Sequence, residues 1–75
     1  MLLSELSPGQ SATILGFTLF NDHSQRLMSM GIVDGVTVDM VRRAPAGDPI
    51  EVNVMGDRIS LRLEDARLIN VSQAS

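Results

Sequence analysis

The chain of 75 residues carries six basic and nine acidic residues, a net charge of -3, a pI near 4.7 and no cysteine. That length makes one domain, residues 1–75, whose compact core must hold without disulfides or a thiolate zinc site. The acidic balance argues against nonspecific nucleic-acid binding, which rests on a surplus of lysine and arginine against phosphate.

In chain order, Met1-Leu2-Leu3 is followed at once by Ser4 and Glu5, so no secretion signal is expected, and no apolar run is long enough to span a bilayer as a helix. A cytoplasmic location is expected. "SPGQ" at Ser7 to Gln10 reads as a tight turn, with proline presetting its first central dihedral. A strand follows from Ser11 to Phe20, and its internal Gly16 marks a bulge or a close backbone approach.

The period changes at "NDHSQRLMSMGI". Asn21 or Asp22 can cap a helix, with Gln25 three residues after Asp22 as a capping box asks. Gly31 fits the left-handed position that ends helices, and the accompanying contact joins Ile32 to Leu27. On this helix Met30 shares a face with Leu27 and is expected in the core. Met28 and Met30 stand roughly 200° apart, so they cannot converge on one ion. Met28 faces elsewhere, either partly exposed or as the helix's contribution to a partner surface.

"VDG" at Val33 to Gly35 is a second turn, after which Val36, Val38 and Met40 alternate with Thr37, Asp39 and Val41 as a half-buried strand does. "APAGDP" interrupts as a loop, and Ile50, Val52 and Val54 resume the alternation. Gly56-Asp57 reads as a two-residue hairpin loop leading to Ile59, Leu61 and Leu63. That loop pairs Met55 with Arg58, setting Val54 opposite Ile59, Val52 opposite Leu61 and Ile50 opposite Leu63, with Glu51 facing Arg62 outside. Glu64 to Arg67 forms a short helical turn, Leu68 to Val71 a last strand, and residues 72–75 a frayed tail. Five strands without βαβ spacing predict a mainly β fold, a small antiparallel barrel that closes its own edges.

Catalytic chemistry is thinly provided, and no enzyme activity is expected. There is no cysteine, lysine or tyrosine, and the one histidine, His23, reads as a solvated residue in a first helical turn. No cofactor or metal site is predicted, since neither a phosphate-binding glycine loop nor a convergent ligand set is present. Gly31 and Gly35 have the spacing of a membrane dimerisation motif but sit in no apolar segment. Arg42 and Arg43 point to opposite strand faces and only two aromatics offer stacking, so RNA is not expected. What remains is apolar surface: with Ile14 inward, Leu15, Phe17 and Leu19 face outward, as do Val41 and Met55. The helix or a terminus covers these residues, or they form a groove that grips a peptide or protein loop.

Taken in order, "LSPGQSATI", "RLMSMGI", "DG", "APAGDP", "IEVNVMGDRISLR" and "EDARLINV" resemble the FeoA family, from about Leu3 to Val71. The resemblance implies an SH3-like barrel, with one short helix after the first strand and a helical turn before the last. It further implies a cytoplasmic accessory or regulatory role in bacterial ferrous iron uptake, through protein contacts with the cytosolic region of the FeoB membrane transporter. Any association with the membrane would then run through that partner, and self-association is left open. No metal ligands are carried over. The expected partner surface is Leu15, Phe17, Met28, Val41 and Met55, flanked by the "APAGDP" loop. The same barrel also occurs as the terminal domain of metal-dependent transcriptional repressors, and a generic peptide-binding module is a third reading. A chain beginning with methionine and lacking a DNA-reading helix favours the free-standing accessory protein.

Overall fold

A computed structural model describes residues 1–73. Five strands form one antiparallel sheet: β1 (Ser11–Phe17), β2 (Thr37–Arg43), β3 (Ile50–Val54), β4 (Asp57–Leu61) and β5 (Ile69–Gln73), in the order β4-β3-β2-β1-β5. Helix α1 (Asp22–Ser29) joins β1 to β2, and the single turn α2 (Leu63–Ala66) joins β4 to β5. The sheet wraps round the core, giving extents of 28 × 27 × 22 Å.

The core follows the period-two pattern of the strands. Ala12, Ile14, Val38, Met40, Ile50, Val52, Val54, Leu61, Ile69 and Val71 all point inward and are buried. Leu27 and Ile32 close it from the helix side, and Leu3 and Leu6 from the N-terminus. Leu3 opens and Leu6 caps a 3-10 turn, Leu3–Glu5, that no pattern in the sequence predicted. Arg43 fastens that turn by donating to the backbone carbonyls of Ser4 and Leu6.

The two sheet edges are managed differently from the closure expected. β4 and β5 stand at opposite ends of the strand order and do not pair. The free edge of β5 is covered instead by the N-terminus: Val71 N–H donates to Met1 O at 2.7 Å and Leu2 bridges Asn70. β5 also runs on to Gln73, so Ser72 and Gln73, expected to fray, are laddered to Thr13 and Ala12. Residues 74–75 of the expected tail lie outside the described residues.

The β3–β4 hairpin turns one residue earlier than predicted. Met55 and Gly56 both take positive φ, 53° and 87°, which is the requirement of a type I′ turn. Val54 therefore pairs with Asp57, Val52 with Ile59 and Ile50 with Leu61. Moving a two-residue turn by one shifts the register by two, so the inward set stays inward while every partner changes. Glu51 now meets Arg42 at 3.3 Å and Arg58 diagonally at 3.8 Å, and Arg62 pairs with Asp48 at 3.4 Å. Leu63 leaves the strand, its N–H donating to Asp48 Oδ1 at 2.9 Å as α2 begins.

Candidate functional site

Three local backbone devices between residues 16 and 33 build an apolar concavity. The first is a bulge in β1: the β1–β5 register shifts between Ile14 and Gly16. It breaks the alternation that had placed Phe17 outward with Leu15, and Phe17 turns to pack half-buried against the core. β1 also stops at Phe17, not Phe20, with Thr18 N–H still bonded to Leu68 O at 2.8 Å.

The second device is the start of α1. Asn21 is the cap, and the reciprocal partner is Ser24 rather than Gln25: Ser24 N–H donates to Asn21 Oδ1 at 3.0 Å, and Asn21 N–H to Ser24 Oγ at 2.7 Å. Phe20 then occupies the position before the cap. An apolar residue there ordinarily packs on the fourth helical residue, but here that residue is Gln25. Phe20, 72% exposed, leans instead on Phe17, with ring centroids 6.1 Å apart and planes tilted by 56°, inside the range of favourable aromatic pairs.

The third is the end of α1. Gly31 has φ 97°, Ile32 N–H donates to Leu27 O at 3.2 Å and Gly31 N–H to Met28 O at 3.1 Å. This is the two-bond C-terminal motif foreseen at Gly31, and it buries Ile32 beside Leu27. It also swings Met30 out of the position expected for it: Met30 is the last cap residue, off the helical line, and is 41% exposed instead of in the core. Val33 emerges on the surface beyond it.

Phe17, Phe20, Met28, Val33 and Asp34 line the resulting cleft of about 290 Å³. Of the five residues expected to form a partner surface, the structure brings Phe17 and Met28 together here. Leu15 is exposed on β1, Val41 lies beside the β2 bulge between Met40 and Arg42, and Met55 tips the β3–β4 turn. The "APAGDP" loop follows the C-terminal end of β2; Thr37, Val38 and Asp39 at the start of β2 pair with Thr13, Ala12 and Ser11, so β2 runs on past the start of β1 while Phe17 ends it, and the loop lies at the other end of that ladder from the cleft. Phe20, Val33 and Asp34 were not foreseen. The missing apolar partner of Phe20 at Gln25 was the available signal.

A second, smaller cleft of about 190 Å³ is lined by Asn21, His23, Glu64, Asp65 and Leu68. Asp65 on α2 is 3% exposed at its side chain and meets Arg26 Nη2 at 3.3 Å and His23 Nδ1 at 3.4 Å. His23 is thus tied to a carboxylate 42 positions away (65 minus 23), which no local pattern announces. Asp65 Oδ1 accepts no hydrogen bond from the described residues. The arrangement clamps α1 to α2. The Arg26 cation already faces the carboxylate, and no three histidine, aspartate or glutamate side chains among the described residues converge as metal ligands. No helix among them is long and apolar enough to cross a membrane.

Comparison with known proteins adds to this geometry. Residues 1–73 match the model of the FeoA domain. The whole chain is 39% identical to part of the Fe(2+) transport protein A/Fe(2+) transporter FeoB fusion protein of Porphyromonas gingivalis, of which it spans 9%. The solution structure of FeoA from Chlorobium tepidum superposes with a TM-score of 0.92 at 37% identity, over 100% of this chain and 71% of that one. Stenotrophomonas maltophilia FeoA, solved with zinc and described as an SH3 domain protein, gives 0.85 at 33% identity, over 96% of this chain and 89% of that one. T. acidophilum IdeR gives 0.86 at 21% identity, over 99% of this chain and 34% of that one, a likeness of fold alone.

Proposed function

The chain belongs to the FeoA family of ferrous iron transport, and from that premise we propose that it is a non-catalytic accessory protein that docks on the cytosolic face of a FeoB-type transporter. The observation that carries this reading is the Porphyromonas gingivalis relative, in which a segment 39% identical to this chain shares one polypeptide with the transporter. Fusion holds two partners at high effective concentration, so a separate chain must supply by its own surface what the linker supplies there.

An exposed apolar cleft suits that task. The largest contiguous apolar patches on monomeric proteins are commonly interaction sites. The docking face is Phe17 and Met28 with Phe20 and Val33, whereas Leu15, Val41 and Met55 are not lining residues of this cleft, so the earlier five-residue surface narrows to two of its members.

The test is direct binding of the chain to the FeoB-type transporter of the same cell, held in lipid nanodiscs and followed by biolayer interferometry. Saturable binding is expected, together with reduced ferrous iron uptake in cells lacking the chain. A folded chain that shows no saturable binding, and whose loss leaves uptake unchanged, refutes the reading.

A further inference from the structure

We propose that the cleft receives a bulky apolar side chain from a cytosolic loop of the transporter, while Asp34 at its rim holds a lysine or arginine one or two residues away on the same loop. This rests on the docking reading above and specifies what the docked segment must look like.

The size of the cleft comes first. At about 290 Å³ it lies at the bottom of the range of small-molecule pockets, roughly 300–1,000 Å³. Its lining offers two aromatic rings, a thioether and a valine, with Asp34 as the sole charged group. A nucleotide or a polar metabolite needs several convergent polar groups, and these are missing from the lining. An apolar side chain needs none. Met28 lends adaptability, since an unbranched thioether moulds to rings and branched chains alike.

Charge selects what stands beside that side chain. Asp34 is exposed, and its carboxylate makes no ion pair among the described residues. Its Oδ1 lies against Gly16, 3.6 Å from where a Cβ would stand, so it sits over the bulge at the cleft's edge. A cation arriving with the apolar residue would find an anion that no cation among the described residues already pairs.

The membrane supplies the matching partner. Short cytosolic loops of membrane proteins carry an excess of lysine and arginine close to apolar segments. The anionic cytosolic leaflet repels a chain of net charge -3, so the lipid surface itself is a poor occupant. A basic, apolar loop of the transporter satisfies both features of the cleft, and steering between opposite charges speeds its capture.

The experiment compares the wild-type chain with Phe20→Ala, Asp34→Asn and Asp34→Lys, all at exposed positions, on the full transporter in nanodiscs at low and high salt, with thermal melts as the folding control. Phe20→Ala is expected to weaken binding at least about tenfold, as loss of an aromatic anchor does. Asp34→Asn is expected to weaken it severalfold at low salt and to flatten its salt dependence, and Asp34→Lys to weaken it further. Absence of wild-type binding would sink the docking reading itself. Wild-type binding with all three variants unchanged would leave docking standing and overturn this site. Sedimentation of the chain alone covers the other occupant: if Phe20→Ala turns a dimer into a monomer, a second copy fills the cleft and the proposal fails.

Discussion

Replacing Met55 by asparagine should make the protein more stable, although it deletes an apolar side chain. Met55 is the first central residue of the β3–β4 turn and holds φ 53°, a left-handed conformation that costs an ordinary L-residue about 1–2 kcal/mol. Asparagine occupies that region several-fold more readily, a preference of about 1 kcal/mol. Against this stands lost burial, and Met55 is 78% exposed. The covered fifth is worth about 0.3–0.6 kcal/mol of the ~1.5–3 kcal/mol that burying a whole methionine gives. The net gain is about 0.4–0.7 kcal/mol, or a rise in Tm of roughly 2–6 °C for a domain of this size. Met55→Gly relieves the same strain but restores about 0.5–1 kcal/mol of unfolded-state entropy, so it should be nearly neutral. Thermal melts followed by circular dichroism measure both variants. Were the turn at Gly56-Asp57, residue 55 would be a paired strand residue, where asparagine and glycine are both disfavoured. A fall in Tm for both variants would therefore refute the register as well as the strain.

Two further perturbations test the joints that frame the cleft and the core. Gly31→Ala should cost about 1–2 kcal/mol, because φ is 97° and a Cβ there would touch nothing within 4 Å, leaving backbone strain as the whole effect; the urea midpoint should fall with the m-value unchanged. Arg43→Met should cost about 2–3 kcal/mol by leaving the carbonyls of Ser4 and Leu6 without their charged donor. Arg43→Lys should recover part of that loss in the same denaturation assay, since a single ammonium cannot reproduce the guanidinium fork.

The strands were legible wherever period two ran uninterrupted. Val38 and Met40, then Ile50, Val52 and Val54, occupy the core as their alternation requires. The hairpin shows the limit of that signal. Turns at Gly56-Asp57 and at Met55-Gly56 give the same inward set, because the register differs by two and face parity is preserved. What separates them is non-local: Asp48, fifteen positions before Leu63, draws the Leu63 N–H out of the ladder and ends β4 early. The 3-10 turn left a faint trace in Leu3 and Leu6, three apart and so eclipsed on such a turn, but three residues carry too little pattern to read. The contact of His23 and Arg26 with Asp65 left none, since it depends on α2 packing against α1.

The cleft was legible in its parts and not in its assembly. The bulge at Gly16, the cap at Asn21 or Asp22 and the left-handed Gly31 were all readable, yet alternation counted straight through the bulge sent Phe17 to the wrong side, and helical spacing counted past the cap sent Met30 into the core. Both errors share one cause: a periodicity argument holds only until the backbone device that ends it, and the device redirects the next side chain. Phe17 follows the bulge, Phe20 precedes the cap, and Val33 follows the C-terminal motif. Three of the five lining residues are thus aimed by chain geometry, while Leu27 and Ile32 hold α1 to the core. Substitutions of the exposed lining residues can therefore change what the cleft accepts at little cost in stability. That separation is what makes a binding defect in Phe20→Ala or Asp34→Asn, measured on a chain that melts like the wild type, a statement about docking rather than about folding.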